Sequence, residues 1–104
     1  MTASFVTLRK QADFDRVFRA GQRIRCGEIS VVRCPGSVSA ARLGFVAPRR
    51  VGNAVERNRV KRRLREAARM VSWEQGYDYV IIGSREAKEA PFAVLVKWLT
   101  RATS

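Results

Sequence analysis

A chain of 104 residues with 21 Lys and Arg against 9 Asp and Glu carries a formal charge of +12, which points to a polyanionic partner because clustered cations gain most where they neutralise phosphates and release counterions. The length fits a single domain, 1–104, in which folding buries roughly 60 to 70% of the surface of the unfolded chain, so the core must be thin. No stretch reaches the roughly 18 apolar residues of a membrane span, and the N-terminus MTASFVTLRK lacks a charged start followed by an apolar signal core, so a cytoplasmic protein with no membrane partner is expected.

Gln11 to Ala20 reads as a short amphipathic helix, with Phe14, Val17 and Phe18 at i, i+3, i+4 and Gly21 placed to end it. From Arg23 to Cys34 the pattern is strand-like, Ile24 and Cys26 and then Ile29 and Val31 alternating with polar or small neighbours, until Pro35-Gly36 stops it. A loop of small residues runs from Pro35 to Ala41. Leu43 to Ala47 suits a covered strand closed by Pro48, which has no N–H to give to a ladder. Asn53 can cap a helix running to about Val71, after a tight turn at Gly52. Tyr77 to Gly83 (YDYVIIG) is the strongest strand in the chain. Pro91 suits the first turn of a last helix whose Phe92, Leu95, Val96 and Leu99 share one face. The order helix, two or three strands, helix, strand, helix predicts an α/β (α+β) two-layer sandwich, helices against a small sheet.

The residue types argue against catalysis by the protein itself. There is no His, the side chain most used for proton transfer near neutral pH. The acids are scattered among cations, and Asp13 and Asp15, two apart, point roughly 200° away from each other on a helix. Cys26 and Cys34 have neither CxxC spacing nor a His to complete a metal site, and read as ordinary thiols on or near strands.

The run from residue 49 to 69, RRVGNAVERNRVKRRLREAAR, holds nine basic residues (Arg49, Arg50, Arg57, Arg59, Lys61, Arg62, Arg63, Arg65, Arg69) against Glu56 and Glu66, which gives it +7 of the chain's +12. At 100° per residue, Val60, Leu64, Ala67, Ala68 and Val71 form one stripe about 100° wide that belongs on the sheet. Opposite them Asn58, Arg62, Arg65 and Arg69 form a second stripe, with Lys61 beside it and Arg57, Arg59 and Arg63 toward its edges. Like charges at these spacings repel by a few tenths of a kcal/mol per pair, and Glu66 offsets only part of that. A face that served solubility alone would mix both signs. A membrane-surface helix would carry large apolar residues opposite its cations, where this one has two alanines needed for the core. The eight-to-one preference for Arg over Lys in the run suits bidentate phosphate contact and stacking on bases, and predicts nucleic-acid binding.

The segment LGFVAPRRVGNAVERNRVKRRLREA, with its basic pair, Gly-Asn-Ala-Val, Arg-Asn-Arg and Lys-Arg, resembles the signature of the bacterial ribonuclease P protein component. The likeness extends through DFDRVFRAG at Asp13 to Gly21 and YDYVIIG at Tyr77 to Gly83, and so covers most of the chain. It implies a small mixed sheet in which the basic helix crosses between two parallel strands in the left-handed sense, where the usual handedness rule alone would choose the opposite. It also implies a noncatalytic protein subunit of an endoribonuclease that removes the 5′ leader from precursor tRNA. The partners would be ribonuclease P RNA and precursor tRNA, with no obligate protein partner, and the catalytic Mg2+ would be bound mainly by the RNA.

Carried over residue by residue, the resemblance sets Arg57, Asn58, Arg59, Lys61, Arg62, Arg65 and Arg69 against the catalytic RNA, supported by Arg49 and Arg50. The single-stranded leader would lie between the first helix and the sheet, against Phe14 and Phe18, with Ser30 and Val32 on the facing strand. Base stacking on a ring contributes roughly 1 to 3 kcal/mol, although simple core packing is the alternative for both phenylalanines. Composition alone leaves open a structural RNA binder of ribosomal type; the Arg-Asn-Arg signature and the Phe pair favour the ribonuclease P reading. A protein nuclease would need convergent carboxylates or a His, which the sequence lacks.

Overall fold

The computed structural model describes residues 5–103, so the ends of the expected domain lie outside the described residues. The elements are β1 (Val6–Thr7), α1 (Gln11–Ala20), β2 (Gln22–Cys26), β3 (Ile29–Pro35), β4 (Arg42–Val46), α2 (Ala54–Ala68), β5 (Tyr77–Ile82) and α3 (Phe92–Ala102), with 3-10 turns at Arg49–Val51 and Arg85–Lys88. One mixed sheet runs in the order β1-β4-β5-β3-β2. Strands β1, β4 and β5 are parallel, and β3 lies antiparallel between β5 and β2. The basic helix α2 is the crossover between the adjacent parallel strands β4 and β5.

The larger core lies between the sheet and the pair α2 and α3, where Val31, Leu43, Tyr79 and Ile81 meet Val60, Leu64, Leu95 and Leu99. Helix α1 adds a partial layer on the reverse face, setting Val17 against Val32, Cys34 and Val80. Val31 and Val32 are therefore both buried although they point to opposite faces. Cys26 and Cys34 are buried free thiols, and burial pushes the Cys26 thiol up.

The strand-like stretch from Arg23 to Cys34 is a hairpin, β2 and β3 pairing from Gln22↔Arg33 to Cys26↔Ile29. Helix α2 ends at Ala68, three residues before the sequence pattern stops, because the chain tightens into a turn in which Met70 and Val71 N–H groups donate to Ala67 and Ala68. Trp73 Nε1 donates to Ala68 O at 2.9 Å and caps the helix end, while Val71 stays buried and completes the predicted stripe.

On the α1 face, Asp78 of β5 is fully buried. Arg42 of β4 donates to both its carboxylate oxygens, at 2.9 and 2.8 Å, and Arg16 of α1 donates to Oδ2 from the other side. Asp13 stands 3.6 Å from both guanidinium groups. These charges tie α1 to the centre of the sheet. Further up the same face Gly44 leaves the room that the Phe14 ring fills, since a Cβ there would meet the ring at 2.5 Å.

Candidate nucleic-acid interface

Helix α2 starts with a reciprocal capping box: Glu56 N–H donates to Asn53 Oδ1 at 2.9 Å, and Asn53 N–H donates to Glu56 Oε1 at 3.0 Å. Lys88 Nζ lies 3.1 Å from Glu56 Oε2. The backbone donor of Asn53 and then Lys88 hold the Glu56 carboxyl below the usual carboxylate range. The cap sets where the helix begins, and so which way every later side chain points.

With Val60, Leu64, Ala67 and Ala68 turned to the core, Asn58, Arg59, Arg62 and Arg69 are exposed, as are Arg49 and Arg50 in the preceding turn. Arg49, Arg50, Arg59, Lys61 and Arg62 have no hydrogen-bond or ion-pair partner among the described residues. Arg69 Nη1 is 2.8 Å from Glu66 Oε1, an exposed pair that contributes little to stability. Arg63 is a different kind of residue. Its guanidinium donates to Ala87 O at 2.6 Å, to Lys88 O at 3.0 Å and to Ala90 O, and so fastens the turn before α3 to the basic helix.

Arg57, Lys61 and Arg65, spaced at i, i+4, i+8, form the side of α2 that faces α1 and β4. Arg57 Nε donates to Ala47 O at 2.9 Å, and the Arg65 guanidinium stands 5.4 Å from the centre of the Phe45 ring. Arg57 and Lys61 line a cavity of about 360 Å³ with Phe14 and Phe18 of α1 and Phe45 and Val46 of β4. Phe18 is 45% exposed, whereas Phe14 is partly buried, its ring packed over Gly44. Both rings line the cavity, Phe14 while packing partly buried against the smaller core and Phe18 while standing more open. Phe45 was not anticipated here; its place in a short apolar run gave no sign that one edge of its ring would border a cleft.

The two strand residues expected opposite the phenylalanines part company. Val32 is 3% exposed and packed with Val17 and Val80 under α1, so it has no surface to offer a ligand; its expected place in the leader cleft is corrected. Ser30, two residues along the same face, lies beyond the cover of α1 and lines a second cavity of about 420 Å³ with Arg25, Arg50 and Arg85. The cavities adjoin, because Val46 of the first pairs in register with Ile82 of the second, and Ile82 pairs with Ser30. These features make a basic surface of three parts: an open arginine face on α2, an aromatic cavity, or groove, that shares Arg57 and Lys61 with that helix, and a second, arginine-lined cavity at neighbouring positions of the sheet.

The family model described as Ribonuclease P matches residues 3–104. The ribonuclease P protein component of Ruegeria pomeroyi is 44% identical over 102 residues, covering 91% of this chain and 81% of that protein. Its counterpart from Chloroflexus aggregans is 42% identical over 91 residues, covering 85% and 67%. Among solved structures, the RNase P protein from Thermotoga maritima superposes with a TM-score of 0.80 at 26% identity, covering 93% of this chain and 94% of that one. The Staphylococcus aureus RNase P protein gives a TM-score of 0.77 at 25% identity, covering 94% and 92%. A family match over nearly the whole length, relatives above 40% identity and a common fold agree with the arginine face and the groove: the chain belongs to the ribonuclease P protein family.

Proposed function

We propose that this chain binds the catalytic RNA of ribonuclease P through Arg49, Arg50, Arg57, Asn58, Arg59, Lys61, Arg62, Arg65 and Arg69, and holds the 5′ leader of precursor tRNA in the groove lined by Phe14, Phe18 and Ser30. The single observation that carries this reading is the set of unpartnered cations on α2, Arg59 and Arg62 on its exposed face and Lys61 on the side that borders the groove. Unpaired guanidinium groups on one rigid helix present donors to phosphate oxygens without first breaking protein bonds. The adjoining groove offers ring faces for unstacked bases beside cations for the backbone, the combination that single-stranded nucleic acid favours.

In this reading the protein positions RNA, and the hydrolysis of the phosphodiester belongs to the RNA subunit. The donor set does not fit a resident metal: among the described residues no three His, Cys, Asp or Glu side chains lie together, and the buried carboxylate of Asp78 is taken up by Arg16 and Arg42. Magnesium is accordingly assigned to the RNA. No helix among the described residues is long and apolar enough to cross a membrane, and the cytoplasm, where precursor tRNA is processed, is the proposed site of action.

The test is cleavage of precursor tRNA by a bacterial ribonuclease P RNA at low magnesium, with and without this protein. The protein is expected to raise the rate of leader removal; cleavage no better than with RNA alone would overturn the reading.

A further inference from the structure

Arg65 is fixed in place although none of its donors is used. Its guanidinium stands 5.4 Å from the centre of the Phe45 ring, within reach of a cation–π contact. Among the described residues it has no hydrogen-bond or ion-pair partner. It differs in this from Arg57, whose Nε is taken by Ala47 O, from Arg69, which pairs with Glu66, and from Arg63, which is spent on three backbone carbonyls. Arg65 is half-buried, so water weakens its attraction to the ring less than on an open surface.

Phe45 is seated firmly enough to serve as that support. By the alternation of β4 it shares the α2 side of the sheet with Leu43, opposite to Gly44, and it is 8% exposed within the larger core. Phe5 braces it from the neighbouring strand, with ring centres 6.1 Å apart and planes at 55°, a favourable tilted pair. Pairing of Val6 and Thr7 with Arg42 and Leu43 is what brings Phe5 to this place. A row Phe5, Phe45, Arg65 therefore runs from the edge of the sheet to the flank of the basic helix.

We infer that Phe45 is a positioning residue for assembly with ribonuclease P RNA: its ring holds the Arg65 guanidinium in the binding-competent rotamer with every N–H free for one phosphodiester of that RNA. The inference rests on the reading that Arg65 faces the RNA subunit. Ordering a long side chain at an interface costs affinity, and a competent state that is only partly populated lowers the apparent affinity by that fraction. An aliphatic side chain fills core space but has no negative face with which to order a cation.

The experiment replaces Phe45 by mono-, di- and trifluorophenylalanine, which drain charge from the ring face at nearly constant shape and so avoid the unfolding that Phe45→Ala invites. Binding of the full-length protein to a bacterial ribonuclease P RNA is measured without precursor tRNA, across a range of salt. Affinity is expected to fall stepwise along the series, about two- to fivefold by the trifluoro ring, the worth of a cation–π contact at a partly exposed site. The salt slope should hold, because no phosphate contact is lost. Arg65→Ala should lower that slope by roughly 0.7 and make affinity indifferent to fluorination. If affinity is flat along the series while Arg65→Ala weakens binding, Arg65 reaches the RNA without help from the ring and the inference is overturned. If Arg65→Ala binds as the unaltered protein does, Arg65 leaves the RNA face and the inference falls with that part of the reading. If the stepwise fall persists in Arg65→Ala, the ring acts through packing or an RNA contact of its own, and its role in positioning Arg65 is overturned.

Discussion

Arg42 holds Asp78 by two near-parallel hydrogen bonds, Nε to Oδ1 at 2.9 Å and Nη2 to Oδ2 at 2.8 Å, on a carboxylate with no solvent exposure. Arg16 closes the same carboxylate from α1. The arrangement joins two neighbouring parallel strands and the helix that walls the aromatic groove, so a fold-determining contact and the shape of the candidate site depend on one side chain.

Replacing Asp78 by Ala should therefore cost about 3 kcal/mol, because two guanidinium groups lose their counter-charge while partly buried; urea denaturation measures it. Acid should act on the same group. Burial pushes the Asp78 carboxyl up, but the hydrogen bonds from Arg42 and Arg16 outweigh burial and hold it below the usual carboxylate range. A carboxyl lowered on folding adds stability above its unfolded value, near 4, and loses it as the pH falls through the folded value. Wild-type stability should decline below about pH 4, and Asp78→Asn should flatten that decline in part, since Glu56 is also held low. A variant with the full wild-type acid limb would assign that limb to other carboxylates.

Neighbouring arginines on α2 should separate RNA binding from folding. Arg62 is exposed and unpartnered, so Arg62→Ala should leave stability within about 0.5 kcal/mol of wild type. It should weaken assembly with the catalytic RNA and lower the salt slope by roughly 0.7 per lost phosphate contact, on the single-strand figure. Arg63→Ala should do the reverse. It strips three backbone carbonyls of their donor and should lower stability by about 1 to 3 kcal/mol, with an unchanged salt slope once folded. Equal salt slopes for Arg62→Ala and wild type would remove Arg62 from the RNA face.

The contrast between Arg62 and Arg63 marks how far the sequence could be read. Helical periodicity found the buried stripe of α2 and its open face, because both depend only on spacing within one element. The acceptors of Arg63 lie 24 to 27 residues away, and those distances follow from tertiary docking that no local pattern encodes. Asp78 was hidden in the same way. It stands inside the apolar run YDYVIIG, and its partners Arg16 and Arg42 are 62 and 36 residues distant. The short strand β1 forms by pairing Val6 and Thr7 with Arg42 and Leu43, a contact between remote segments too brief to leave an alternating pattern. Val32, set on the leader side by the resemblance, lies covered by α1 instead, because a strand packed on both faces buries consecutive residues.

The groove itself is open to a test that separates Phe18 from Phe14. Phe18 is 45% exposed, so Phe18→Ala should cost little stability and should weaken substrates with long leaders by the loss of one stacked base, roughly 1 to 3 kcal/mol. Gly44→Ala approaches the same groove from beneath. The new methyl group would meet Phe14 at 2.5 Å, and because the ring is rigid it must leave its seat. Overpacking of this kind costs about 1 to 3 kcal/mol, and the displaced ring should narrow the cleft shared with Phe18, Arg57 and Lys61. Denaturation midpoints would register the first effect, and affinity for precursor tRNA relative to mature tRNA the second. If Gly44→Ala lowered stability while leader-dependent affinity stayed at the wild-type value, Phe14 would be a core residue alone, and recognition of the leader would rest on Phe18 and the cations around it.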